Sequence, residues 1–271
     1  LIDYANRTHD ARDDWTPPQG IEVDQIAGWG VDSTIGGVQF YTSKRAVIAA
    51  GPDFISERLV PEYRPVFIED GDGTVPVPSA LAMASSANVK SYWLNLTSAE
   101  VKHANIFGDS DLRTFLNKIL KKDTSELPMN ISTLPPSSAN SRHLIFILHS
   151  PLTLQLSDPQ GNSTGSQPDG TATESVSGSS YGKFGEVQYI IAPEGPSYTL
   201  GMRGLDSGVF SLDIEEYDGS QITASSTIAN VPVSTSTTAH LTISDGIDSA
   251  SPLSVDEDGD GVRLGRGFDG H

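Results

Sequence analysis

The alternation of apolar and polar positions changes character near residue 122. Before it, β-rich runs alternate with helix-like stretches. Residues 1–16 (LIDYANRTHDARDDWT) read as a polar helix stopped by Pro17-Pro18. Ile21–Gly30 (IEVDQIAGWG) reads as a buried strand that its glycines deliver into a loop. GGVQFYT and RPVFIED are expected to pair as a hairpin, with the helix-like PDFISERL between them. Pro78–Ala87 predicts a helix with proline near its start, Val89–Leu96 a strand, and Asp109–Lys122 an amphipathic helix. Acidic or hydroxyl residues at 109–111 suit the start of that last helix, and lysines gather at its far end as the helix dipole favours. Strands alternating with helices predict a parallel α/β unit over residues 1–122.

Residues 123–141 (DTSELPMNISTLPPSSANS) are rich in Ser, Pro and Asn and read as a linker. Beyond them come short alternating runs such as HLIFILHS, EVQYIIAP, SYTLGMRG and TAHLTISD, separated by turn residues and without helical stretches. That spacing predicts a β-sandwich over 142–247. Residues 248–271 read as an acidic tail. The expected fold class is therefore α/β followed by an all-β sandwich.

Composition narrows the chemistry. The chain has 271 residues and 37% apolar content, enough for packed cores. It has no cysteine, which excludes disulfides, thiolate catalysis and cysteine-based zinc sites. The formal charge of −18 argues against nucleic acid as a partner and favours cations. No apolar run approaches the about 20 residues of a spanning helix, so no transmembrane segment is expected. The chain begins with Leu and shows no signal peptide, and it reads as a fragment or a processed product.

The segment IEDGDGTVPVPSA (Ile68–Ala80) raises one chemical possibility. Asp72 follows the strand-like PVFIE, and His103 follows the strand VKSYWLNL, 31 residues later, just before an amphipathic helix. A catalytic imidazole needs a carboxylate to fix its tautomer, and in an α/β-hydrolase the chain order is Ser, then acid, then His. An acid and a histidine on consecutive post-strand loops supply the second half of that order. Taken singly, Asp72 is ordinary turn chemistry and His103 an ordinary loop residue.

Together, QIAGWGVDST, IEDGDGTVPVPSA and VKHANIF resemble the C-terminal third of the lecithin:cholesterol acyltransferase and lysosomal phospholipase family. The resemblance covers roughly Pro17 to Leu120. It rests on a Gly-x-Gly turn and a Thr after a late strand, an acidic-Gly-Asp-Gly-Thr-Val segment, and a loop His before the last helix. It implies an α/β-hydrolase sheet, with Asp72 as the triad acid and His103 as the triad base, and leaves Asp70 as a turn or supporting acid. The family's nucleophile lies in a Gly-x-Ser-x-Gly elbow, which residues 1–69 lack, so the resemblance implies a Ser upstream of Leu1. The later β runs resemble accessory β-sandwich domains of exported bacterial hydrolases, which implies a secreted or cell-surface protein.

GNSTG (Gly161–Gly165) matches the elbow pattern but sits in turn chemistry after the histidine, with no helix following, and is not read as a nucleophile. Ser79 is read as helix-start chemistry. In DEDGDG, Asp256, Asp258 and Asp260 occupy positions 1, 3 and 5 of a calcium loop, with Gly261 at position 6. Position 12 is Gly267 in place of the bidentate Glu, so a Ca2+ site and a solvated acidic tail both fit. His9, His143, His149 and His240 show no metal spacing. The expected function is the C-terminal part of a serine ester hydrolase or acyltransferase, acting on a lipid or other acyl ester without a catalytic cofactor. The alternative is a non-catalytic adhesion protein that contacts a surface or carbohydrate through its β-sandwich and calcium tail.

Overall fold

The computed structural model describes residues 3, 7, 15–48, 55–83, 85–97, 101–137, 142–149, 151–167, 169–195, 197–219, 221–262, 264–266 and 269–270. The helix expected over 1–16 lies almost wholly outside them, as do His9, Gly267 and His271. The chain forms two units, Leu1–Ser137 and Ser138–His271. In chain order the first contains β1 (Val23–Trp29), β2 (Thr34–Ile48), β3 (Ile55–Ile68), α1 (Val77–Ala80) and β4 (Val89–Asn95). A 3-10 turn (His103–Gly108), α2 (Ser110–Lys121) and β5 (Ile131–Ser132) complete it.

The expected α/β arrangement is not what forms. Strands make up 50% and helices 12% of the structure, too little helix to cover both faces of a parallel sheet. β1 and β4 do pair in parallel, from Val23 opposite Val89 to Trp29 opposite Asn95. Among the described residues no further parallel strand joins them. β5, which falls in the segment read as a linker, pairs antiparallel with β4. β2 and β3 form a separate antiparallel ribbon. The supposed helix PDFISERL contributes its residues from Ile55 onward to β3, where Ile55 pairs with Ile48. The helix expected over Pro78–Ala87 is reduced to one turn, Val77–Ala80: Leu81 leaves the helical conformation (φ −107°, ψ 32°) and packs with Ala80 against Ala27, Trp29 and Val77. This is a mostly β protein with several antiparallel sheets, not an α/β-hydrolase-type mixed fold.

Side chains of β1 and β4 enter two apolar clusters. One cluster holds Leu94, Leu96, Leu112, Phe115 and Ile131, with Ile106 packed against them. The rings of Tyr92 and Phe115 meet edge to face at 4.6 Å. Ala27, Trp29 and Val77 form a second cluster with Trp93. α2 has the ends its sequence predicts. Asp109 Oδ1 accepts the Leu112 N–H at 2.8 Å, and Lys118 and Lys121 occupy the last turn.

The second unit contains β6 (Arg142–His149), β7 (Leu152–Ser157), β8 (Ser163–Ser166), β9 (Ala172–Glu174), β10 (Ser180–Phe184) and β11 (Val187–Pro193). It continues with β12 (Tyr198–Gly204), β13 (Gly208–Asp218), β14 (Gln221–Val233), β15 (Thr238–Ile243), β16 (Leu253–Asp256), β17 (Leu264–Arg266) and β18 (Asp269–Gly270). They form two sheets, in the orders β10-β11-β6-β13-β14-β18 and β17-β16-β15-β12-β7-β8-β9. Alternate residues of both sheets enter one core, including Leu144, Phe146 and Leu148 from β6 and Leu152, Leu154 and Leu156 from β7. Leu253 and Val255 belong to that core, so part of the segment read as an acidic tail is a sheet strand.

One ion cluster in this unit predicts a pH effect. Arg142 Nε lies 2.8 Å from Glu194 Oε2, and its Nη2 lies 2.7 Å from Glu216 Oε1. Burial, then the neighbouring Glu216 carboxylate, holds the Glu194 carboxyl above its ordinary range, with Arg142 opposing. An acid with a raised folded-state pKa binds its proton more tightly when folded. Its contribution to stability is therefore lost as pH rises through and just above the ordinary glutamate range. Glu194→Gln should flatten that part of the curve of thermal midpoint against pH. Parallel curves for the two proteins would contradict the assignment.

Candidate active site

The loop between β3 and α1 carries Asp72, and its shape follows from glycine and backbone bonding. The Val31 N–H donates to the Gly71 carbonyl at 3.2 Å, and Val31 and Asp72 form a parallel bridge beyond the end of β1. Gly73 has φ +91°, a left-handed conformation that side-chain-bearing residues rarely adopt. Asp72 is buried. Its Oδ1 accepts the backbone N–H groups of Thr74 at 3.1 Å and Val75 at 2.8 Å. This is the local bonding that Asp favours in turns, and it fixes which oxygen is left to face outward.

That second oxygen, Oδ2, lies 2.8 Å from Nδ1 of His103. The same two residues are joined through the backbone, His103 N–H donating to the Asp72 carbonyl at 2.9 Å. His103 opens the 3-10 turn. The turn is anchored by Ile106 in the first unit's core and by Arg113, whose Nη1 donates to the carbonyls of Phe107 at 3.0 Å and Gly108 at 2.8 Å. The imidazole is 47% exposed, whereas the Asp72 side chain is 7% exposed. A buried carboxylate thus meets the Nδ1 side of a ring that remains open to solvent. With Nδ1 donating to Asp72, Nε2 is the nitrogen with a lone pair, which is the tautomer a general base requires.

Gly28 shows how tightly the carboxylate is housed. A Cβ built on it would fall 2.6 Å from Asp72 Cβ and 3.0 Å from Leu96 Cδ1. β1 can pass beneath the Asp72 loop only because this position has no side chain.

The other candidate residues do not join this pair. The Asp70 carbonyl accepts the Val77 N–H at 2.9 Å, a loop role. Ser79 lies exposed in α1. Ser163 of GNSTG begins β8, an edge-side strand of the second unit, with no strand-to-helix elbow around it. His149 Nε2 lies 3.1 Å from Asp213 Oδ2 between β6 and β13, and His143 stacks on Tyr217 at 5.1 Å. Asp256, Asp258 and Asp260 converge, each offering an oxygen within 4.8 Å of the others. The loop's own amides already engage them. Asp256 accepts from Gly259 and Gly261, Asp258 from Asp260, and Asp260 from Val262. Those bonds shape the turn and leave further carboxylate lone pairs with which the three side chains could hold a cation.

One participant was not legible as such. Thr34 appears in the sequence as the Thr of GWGVDST, but its contact with the Asp72 loop spans 39 residues and leaves no local signal.

No family model, curated protein or solved structure matches the chain. Among the described residues no helix is long and apolar enough to cross a membrane.

Proposed function

We propose that Asp72 and His103 are the acid and base of an acyl-transfer site that acts on acyl esters. The observation that carries this reading is the 2.8 Å contact between Asp72 Oδ2 and His103 Nδ1, made by a carboxylate whose other oxygen is committed to two backbone amides. A carboxylate so held cannot turn away, so it fixes the orientation of the ring and stabilises the imidazolium when the ring takes a proton.

The nucleophile in this reading is a serine hydroxyl from outside residues 1–271. Its oxygen attacks the ester carbonyl carbon while its proton passes to His103 Nε2. The imidazolium then returns that proton to the departing alkoxide, leaving an acyl-enzyme and a free alcohol. Water, or a second alcohol, attacks the acyl-enzyme by the same proton transfers in reverse, and serine is restored. Water gives hydrolysis and an alcohol gives acyl transfer. The lipid or other acyl-ester substrate is supported by the resemblance of the Pro17–Leu120 segment.

The test uses the whole protein with short- and long-chain p-nitrophenyl esters. Wild type should turn these over, and His103→Ala should abolish the turnover without changing the circular dichroism spectrum. A wild-type protein without ester hydrolysis, or a His103→Ala variant with the parental rate, would overturn the proposal.

A further inference from the structure

We propose that Thr34 is a positioning residue for the Asp72–His103 pair, an inference that rests on the acid–base reading above. Thr34 is fully buried at the first position of β2. Its Oγ1 accepts the Gly73 N–H at 2.8 Å and donates to the Val31 carbonyl at 2.9 Å. Val31 in turn donates its N–H to the Gly71 carbonyl. The turn from Val31 to Thr34 therefore grips the chain on both sides of Asp72, at residue 71 and at residue 73.

The methyl group adds a steric stop. A Cβ on Gly71 would come within 2.4 Å of Thr34 Cγ2, so the loop backbone rests directly against this side chain. Neither contact touches His103. The hydroxyl sets the path of the Gly71–Gly73 backbone, that path sets the direction of the Asp72 carboxylate, and the carboxylate sets the ring.

Thr34→Val keeps the shape and removes the hydroxyl, so the Gly73 N–H loses its acceptor in a closed loop. A shift of the carboxylate by about 1 Å costs on the order of 10²-fold in rate when the group is a positioned catalyst. Thr34→Ser keeps the hydroxyl.

The experiment reads His103 directly, by long-range proton–nitrogen NMR of the full chain. In wild type the Nδ1 proton should give a low-field resonance, and the Gly73 amide should be protected from hydrogen exchange. Thr34→Val should lose or broaden the Nδ1 resonance, and Thr34→Ser should keep it. In ester hydrolysis by the whole protein, Thr34→Val should lower kcat by about 10²-fold with KM little changed, and Thr34→Ser should restore most of it. Wild-type His103 signals in Thr34→Val would overturn the assignment, as would a Thr34→Ser variant as impaired as Thr34→Val. Should Thr34→Val fail to fold, rapid exchange of the Gly73 amide in wild type decides against the proposal by itself. The two failures separate cleanly. If Asp72→Asn leaves the His103 spectrum unchanged, the acid–base pairing itself is wrong. If Asp72→Asn shifts that spectrum and Thr34→Val does not, only the role of Thr34 falls.

Discussion

Asp72→Asn should leave the fold intact and lower kcat for ester hydrolysis by about 10⁴-fold. The reason lies in the unequal duties of the two carboxylate oxygens. Oδ1 accepts from the Thr74 and Val75 amides, and Oδ2 faces His103 Nδ1 at 2.8 Å. Asparagine has one acceptor and one donor end. Two backbone N–H groups demand the acceptor at the first site, so the amide NH2 must face the imidazole. A donor there forces Nδ1 to accept and places the ring proton on Nε2. The nitrogen that should take the serine proton then already carries one. Stability changes little, because the loop's own bonds survive, while the base is held in the wrong tautomer. Steady-state kinetics with thermal melts checks the pair of outcomes. A variant within about tenfold of wild type would mean that His103 is no general base, since such groups contribute about 10²–10⁴-fold.

The same site shows what the sequence made legible. His103 is legible because its loop lies between strongly patterned segments, β4 before it and α2 after it, and Asp72 because its glycine-rich turn follows the strand-like PVFIE. Chain order and the family resemblance of the flanking motifs together suggest the pairing. β1, β4 and α2 lie close to their expected bounds: side chains of both strands pack into two apolar clusters, and the helix carries its own caps. The alternating strands of the second unit were legible from the period of two.

What failed was the step from elements to architecture. Alternation predicts a parallel α/β sheet, but among the strands of the described residues only β1 and β4 pair in parallel. β3 was misread because PDFISERL lacks strand periodicity of its own; its pairing with β2 decides its conformation, and such pairing is non-local. β5 escaped notice as two residues within a Pro- and Ser-rich stretch. Its anchors are a hydrogen bond from the Asn95 N–H to the Asn130 carbonyl at 2.8 Å and the burial of Ile131 beside Phe115. Thr34 and Gly28 belong to the Gly-x-Gly and Thr pattern of the resemblance, but their contacts with the Asp72 loop are not legible in it. Their importance lies in what approaches them across the fold, at distances along the chain where residue type carries no warning.

The second large effect concerns the other unit. Phe146→Ala should destabilise it by about 3–5 kcal/mol, the range for truncating a fully buried aromatic side chain. Phe146 lies mid-strand in β6, between β11 and β13, and is 0% exposed. It points into the core shared by both sheets, among Leu154, Ile190, Leu200, Leu212 and Leu241. Removing the ring loses its transfer free energy and leaves a cavity that two hydrogen-bonded sheets cannot collapse to fill. Leu205→Ala is the matched control, because that side chain is 59% exposed in the turn after β12 and should change stability by no more than about 0.5 kcal/mol. Urea denaturation separates the two cases. Phe146→Ala should move the midpoint of the second unit's transition while leaving its slope unchanged. Since the Asp72–His103 contacts lie within the first unit, the low-field resonance of His103 should be the same in this variant as in wild type under native conditions. A loss below about 1 kcal/mol would place Phe146 outside the shared core and contradict the packing of the two sheets.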